Sequence, residues 1–197
     1  MEAEGVAASK KNAARLGAHI VFIDESGFLV IPNVCRTWAP SGETPIHRHN
    51  FRREKVSAIS GVSLSPVLHR VGLYYKFHYV NIKRTQVCEF VRHLLRHLRG
   101  PVIVVWDNHG IHKGRTTREL SGRFSRVTFE YLPPYAPELN PDEGVWAMAK
   151  RDLANTSPQS RVELRRGASA AIRAIRRSPR KLRACIASSD LPSPFSF

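Results

Sequence analysis

Three acidic residues of this sequence adjoin predicted secondary-structure boundaries. Asp24 and Asp107 each directly follow a short apolar stretch, and Glu143 lies in the first turn of a predicted helix. Functional sites in mixed α/β sheets form at the carboxyl ends of strands, so we expect the three carboxylates to meet there. Carboxylates brought together repel unless a hard cation such as Mg²⁺ binds their oxygens. Two such ions can activate a hydroxyl and stabilise the leaving oxygen of a phosphodiester, so this pattern indicates nuclease or strand-transfer chemistry.

Each acid also has a simpler structural interpretation. Asp24 and Asp107 can cap the turns that follow their strands. Asn140, Pro141 and Glu143 have the spacing of a capping box at a helix N-terminus. Capping does not exclude metal binding, so the spacing alone leaves both interpretations open.

The overall charge points to a polyanionic partner. The 197 residues include 31 Lys+Arg and 16 Asp+Glu, a net charge of +15, and nucleic acid is the first candidate partner. A gene rich in G and C can also raise the arginine content without a functional cause. No apolar run is long enough for a membrane span, and no signal peptide is recognisable. The three cysteines lie too far apart for a disulfide framework or a zinc site, which favours a reducing cytoplasm.

Apolar patterning predicts a chain of strands followed by helices. Strands are predicted at 19–23, 55–62, 67–75, 102–106 and 127–132, with the second and third forming a hairpin and the fourth lying centrally. Short strands and turns are expected in 32–45. Helices are predicted at 87–98, 116–124 and 141–153, followed by two helices in a tail whose net charge from residue 151 onward is +7. Antiparallel strands followed by β-α-β crossovers predict an α/β fold, a mixed sheet with helices on both faces.

Four ordered sequence blocks resemble one protein family. They are IVFIDESGF at 20–28, RTWAPSGETP at 36–45, VWDNHGIHK at 105–113 and LPPYAPELNPDEGVW at 132–146. The second resembles the family block TWAPKGQTP, the third LDNAxIHK and the fourth LPPYSPELNPIEHVW. The family that these blocks resemble is that of bacterial insertion-sequence transposases in the mariner-like superfamily, and the resemblance covers roughly residues 18 to 190.

The resemblance implies a DDE catalytic domain with a ribonuclease H-like fold, here a mixed five-stranded sheet flanked by helices with a basic helical tail. It implies that Asp24, Asp107 and Glu143 are the catalytic, metal-binding triad, with two Mg²⁺ or Mn²⁺ ions as cofactors. Such enzymes hydrolyse a DNA strand at the element's end, and the freed 3′-hydroxyl then attacks target DNA, typically at TA. The implied partners are transposon ends, target DNA and a second copy of the chain on DNA.

Further residues are candidates for DNA contacts. Those that follow the second acid either touch a phosphate or orient the site: Asn108, His109, His112 and Lys113. A basic loop adds Arg48, Arg52 and Arg53. His47 and His49 lack ligand partners at useful spacing, so we interpret them as part of that loop.

Four residues near these motifs are expected to play structural parts. Glu25 and Asp142 adjoin the triad but are expected to point elsewhere, as exposed charges or as support behind the ligands. Trp38 and Trp146 are interpreted as packing residues.

The domain organisation follows from these motifs. We predict a polar lead-in at 1–17, a catalytic domain at 18–155 and a basic helical extension at 156–197 that packs on the same domain. Asp24 leaves no room for the helix-turn-helix units that precede the catalytic domain in full-length relatives, so a separately encoded helix-turn-helix partner is one expectation. An inactive or partner-dependent DNA-binding remnant is the alternative, and a stand-alone nuclease a third. The protein is expected in the bacterial cytoplasm, associated with the nucleoid when bound to DNA.

Overall fold

The structure, a computed structural model, describes residues 12–31, 33–46, 53–65 and 70–191. The strands are β1 His19–Leu29, β2 Lys55–Leu64, β3 Val71–His78, β4 Val102–Trp106 and β5 Val127–Tyr131. The helices are α1 Arg84–His97, α2 Arg115–Arg123, α3 Pro141–Asp152, α4 Arg161–Arg176 and α5 Pro179–Ala187.

The strands form one mixed sheet in the order β3-β2-β1-β4-β5. The β1–β2 and β2–β3 pairs are antiparallel, whereas β1–β4 and β4–β5 are parallel. All five residues of β4 are buried. The mixed five-stranded sheet is therefore confirmed, as is the interior position of the most apolar strand.

Helices cover both faces of the sheet, and alternate residues of β1 point to each. Ile20 and Phe22 belong to the core beneath α3, α4 and α5. Val21 and Ile23 belong to the core beneath α1 and α2. This period-two alternation is why one strand can support two apolar layers.

β1 does not end where the sequence predicts. It continues through Asp24 to Leu29 because β2 pairs with it along that whole length. The parallel pairing with β4 covers only His19–Phe22. Asp24 therefore lies within a strand, just beyond the point at which one of its two neighbouring strands ends.

The predicted elements in 32–45 are also wrong in part, because residues 33–46 contain a turn and no strand. Pro40 and Pro45 lack the N–H that a strand ladder needs. Cys35 instead exchanges two hydrogen bonds with the Asn155 side chain, at 2.9 and 3.0 Å. Trp38 is 99% exposed, so it is not a packing residue.

Smaller differences concern the hairpin and the chain start. β3 begins at Val71 rather than at Val67, which lies outside the described residues. Residues 12–16, within the predicted lead-in, form a helical turn whose Ala13 is buried. Within the described ranges, no helix is both long and apolar enough to span a membrane.

Packing of α4 on the sheet is testable by mutation. Ile172 is fully buried in the core, whereas Val162 on the same helix is 60% exposed. We expect Ile172→Ala to lower the free energy of unfolding by about 2–5 kcal/mol because it leaves a cavity. The control Val162→Ala should change it by no more than about 0.5 kcal/mol. Urea unfolding of both variants measures this, and equal effects would contradict the packing of α4.

Candidate active site

The register of β1 and β4 sets Asp24 and Asp107 level with each other. Phe22 pairs with Val105 in the parallel ladder. Continuing that register by two residues on each strand brings Asp24 opposite Asp107. The two carboxylates therefore lie at the edge of the sheet where β4 ends and β1 continues.

Glu143 is brought to this edge by the start of α3. The Asn140 side chain caps the helix by accepting a hydrogen bond from the Asp142 N–H at 3.2 Å, and Pro141 occupies the first helical position. The predicted Asn140 cap is thus formed. The Glu143 residue is exposed in the first turn.

Two hydrogen bonds join α3 to β1. The Trp146 Nε1–H donates to Asp24 Oδ2 at 2.8 Å, and the Asn140 side chain donates to the Ile23 carbonyl at 3.4 Å. Trp146 is buried, as predicted for a packing residue. Its bond to Asp24 was not predicted, although a buried indole N–H usually has an acceptor.

Asp142 joins α3 to β2 from within the core. Its side chain is 0% exposed and accepts hydrogen bonds from the Ser60 hydroxyl and, at 3.2 Å, from the Val62 N–H. Burial raises the pKa of Asp142 to about 7, although the Ser60 and Val62 bonds lower it in part. Asp142 was expected to be either an exposed charge or a support behind the ligands. The first expectation is wrong because the carboxyl group is fully buried.

The structure brings the three predicted catalytic acids into one cleft of about 550 Å³. The same cleft is lined by three of the predicted DNA contacts and by the proline-rich loop: Asn108, His109, Lys113 and residues 132–137. At its rim, Tyr135 is fully exposed and has a positive φ of 59°. The acids and a short group of polar and cationic side chains thus face a common space.

Ionisation of Asp24, at the buried end of the cleft, is opposed by its surroundings. Burial raises the pKa of Asp24 well above its ordinary value, and the charges of Asp142, Glu143 and Glu25 raise it further. The Trp146 hydrogen bond lowers it in part. A bound cation would offset this repulsion, and carboxylate oxygens are the ligands that Mg²⁺ prefers.

The donor set therefore fits a hard divalent cation by its chemistry. Among the described residues, however, no three His, Cys, Asp or Glu side chains already form a metal-binding group. The acids share the cleft without being preassembled around an ion.

His112 lies behind Asp107 rather than on the surface. It is 1% exposed and stacks on Trp106 with a centroid separation of 4.6 Å. Its Nε2 lies 3.3 Å from Asp107 Oδ1 and 3.3 Å from Glu25 Oε2. Because the ring is buried, it offers no surface to a DNA phosphate, and an orienting role remains the prediction for His112.

The other predicted DNA contacts are distributed differently. Asn108 donates to the Leu132 carbonyl at 2.6 Å and so ties the end of β4 to the cleft loop. His109 is exposed and its N–H donates to Asp107 Oδ1 at 2.9 Å. Lys113 is exposed, with its Nζ 5.7 Å from the Tyr131 ring centre. Arg53 is exposed on the way into β2. The remaining loop residues lie outside the described ranges: His47, Arg48, His49 and Arg52.

Comparison with known proteins assigns the fold. The sequence pattern of the DDE superfamily endonucleases matches residues 19–165. The Mos1 strand transfer complex is similar in structure, with a TM-score of 0.57 and 20% identity over 95% of this chain and 60% of that one. The mariner Mos1 paired end complex with Mg gives 0.57 and 18%, over 95% and 61%.

The crystal structure of the catalytic domain of Mos1 mariner transposase gives a TM-score of 0.51 and 16% identity, covering 95% of this chain and 91% of that one. The chain spans about three-fifths of the Mos1 chains in the strand transfer complex and the paired end complex. These similarities confirm the ribonuclease H-like fold. No curated protein matches the sequence significantly.

The buried Asp142 makes stability depend on pH. Its pKa in the folded chain is about 7 against an ordinary value of 3.8, so folding favours the protonated form. Stability from this group is therefore present below about pH 4 and is lost as the pH rises towards 7. We expect the melting temperature of Asp142→Asn, measured in chelator-containing buffer, to rise relative to the unmodified chain between pH 5 and 8. A difference that does not change with pH would contradict the raised pKa.

Proposed function

We propose, on the premise that this chain belongs to the DDE superfamily of endonucleases, that it is a transposase catalytic domain that cuts DNA and transfers the cut strand. One observation carries the proposal: Asp24, Asp107 and Glu143 line a single cleft although they are far apart in sequence. The structure of a similar protein, the Mos1 strand transfer complex, is consistent with this assignment.

The three carboxylates are the groups that would hold the metal. Their oxygens suit Mg²⁺ or Mn²⁺, and a Mos1 paired end complex contains Mg. When bound, a pair of such ions activates the attacking hydroxyl and stabilises the leaving oxygen of the phosphodiester. We propose that Asp24, Asp107 and Glu143 together hold two such ions.

The surrounding residues hold the carboxylates in position. His109 N–H and the buried His112 ring both lie against Asp107 Oδ1, which limits its rotation. The Trp146 N–H holds one oxygen of Asp24 and leaves the other for a ligand. Lys113 and the His109 ring, both exposed on the cleft, are placed to contact a DNA phosphate.

DNA is the proposed partner, both at the element's ends and at the target. The net charge of +15 supplies the nonspecific attraction for the phosphate backbone. A second copy of the chain and a separately encoded helix-turn-helix protein are proposed to complete the assembly, which would act at the bacterial nucleoid.

Two alternatives make different predictions. A non-catalytic remnant would bind DNA without cutting it under any divalent metal, and a stand-alone nuclease would cut without joining the product to target DNA. The presence of all three acids in one cleft favours a catalytic domain over the remnant.

Removal of one carboxylate should abolish cleavage. We expect Asp107→Asn to eliminate Mn²⁺- or Mg²⁺-dependent nicking of supercoiled plasmid while the circular dichroism spectrum stays unchanged. The matched control is Asp152→Asn, because Asp152 is exposed at the opposite end of α3. Undiminished nicking by Asp107→Asn would contradict the site assignment.

The orienting role of His112 predicts a metal-binding defect. His112→Phe preserves a ring against Trp106 but removes the nitrogen beside Asp107 and Glu25. Loss of such support behind a ligand typically weakens metal affinity about 10- to 100-fold. Calorimetric titration with Mn²⁺ tests this, with His93→Asn on α1 as the control. Equal Mn²⁺ affinities of the His112→Phe variant and the unmodified chain would rule the role out.

A further inference from the structure

The acidic cleft continues into two further concavities. One, of about 390 Å³, shares Asp24, Asp107 and His109 with the cleft. The next, of about 440 Å³, shares Lys55, Ser57 and Asn81 with the second. The shared lining residues show that the three concavities adjoin one another, in an order that leads away from the acids. We call the last part, lined by Lys55, Ser57, Tyr79, Val80, Asn81, Lys83 and Gln86, the distal groove.

The sign of the charge reverses along this path. The distal groove has no acidic residue among its described lining, whereas Lys55 and Lys83 both line it. Lys55 Nζ donates to the neutral Asn81 side chain at 3.3 Å. Within the described residues, neither lysine forms an ion pair, in contrast to Lys76, which pairs with Glu89 at 3.0 Å. The positive charge of the distal groove is thus available to an anionic ligand.

Two arginines of α4 contact Tyr79, one of the residues that line the distal groove. Tyr79 is 42% exposed, and the guanidinium carbons of Arg161 and Arg165 each lie 5.5 Å from its ring centre. Cation–π contacts of this kind hold guanidinium groups in place, and guanidinium groups suit phosphate geometrically. Both arginines are exposed.

The position of Lys55 links the distal groove to the acids. Its Cε lies so close to Gly27 that a Cβ there would be 2.6 Å away, so the side chain crosses over β1 at a residue without a side chain. Gly27 is three residues from Asp24 along β1, so the two side-chain positions face opposite sides of the sheet. Lys55 and Asp24 nevertheless both line the second concavity.

We propose that the distal groove binds the DNA strand adjoining the reacting phosphate, through phosphates held by Lys55, Lys83, Arg161 and Arg165. The inference rests on the proposed function, because the catalytic acids determine where the reacting phosphate lies. A DNA strand fits this arrangement because its backbone is a row of phosphates. Such a row can follow the adjoining concavities from the acids to the lysines.

The proposal is tested by the affinity for DNA and by its salt dependence. Labelled duplex DNA is titrated with the full chain in chelator, which prevents cleavage, and binding is followed by fluorescence anisotropy at several salt concentrations. The groove variants are Lys55→Ala/Lys83→Ala and Arg161→Ala/Arg165→Ala. The control, Arg173→Ala/Arg180→Ala, removes the same charge from exposed positions on α4 and α5 outside the groove.

We expect each groove pair to weaken binding at least about tenfold and to reduce the slope of log affinity against log salt by about 2, one for each lost phosphate contact. The control pair should weaken binding less than about threefold and leave the slope unchanged. Groove variants that behave like the control would overturn the proposal. The same variants are also titrated with polyglutamate. Groove variants that lose affinity for polyglutamate but bind DNA normally would overturn the proposal too, because the occupant would then be an acidic protein segment.

Nicking by the unmodified chain with Mn²⁺ is measured in parallel. If the unmodified chain nicks DNA and the groove variants bind DNA normally, the proposal for the distal groove is overturned and the catalytic assignment is left intact. Absence of nicking together with the expected binding losses would instead overturn the catalytic assignment, while supporting the distal groove as a DNA-binding surface.

Discussion

Mutual repulsion among closely spaced carboxylates is the constraint on which the rest of this structure depends. The charges of Glu25, Asp142 and Glu143 all act on Asp24, which is itself largely withdrawn from solvent. Three of these four acids have a neutral or basic partner: an indole at Asp24, a hydroxyl at Asp142 and an imidazole at Glu25. Burial and these neighbouring charges both oppose the ionisation of Asp24 inside a strongly basic protein. Such a region attracts a cation while the surrounding surface attracts the polyanion.

The sheet and α3 keep these acids close to one another through strand pairing and through the attachment of the helix to the sheet. β1 is shared between an antiparallel neighbour that follows its whole length and a parallel neighbour that ends early, which opens the edge at which Asp24 lies. α3 is then fastened across that opening by Trp146 and Asn140 to β1, and by Asp142 to β2. The cap, the indole and the buried carboxyl group all come from the first two turns of the helix, so Glu143 has little freedom to move away.

Features that depend on local patterning could be predicted from the sequence, and features that depend on distant contacts could not. Apolar periodicity identified α1 and β4, and the Asn140 cap was legible from three residues. The continuation of β1 depends on pairing with β2, which no local pattern of β1 specifies. The burial of Asp142 could not be predicted because its partner Ser60 is 82 residues away. The family block gave no guidance either, since it has an apolar isoleucine at that position. His112 likewise reads as a basic loop residue until the fold turns it inward onto Trp106.

The level alignment of Asp24 with Asp107 depends on one stretch of parallel ladder four residue pairs long. The described elements between those strands either extend the sheet on the other side of β1, as β2 and β3 do, or pack on one face of it, as α1 does. The connecting chain can therefore gain or lose residues during evolution without shifting one acid relative to the other. Only these four residue pairs fix the level of the two acids, so a change elsewhere in the connecting chain alters the spacing of the acids only if it disturbs this ladder.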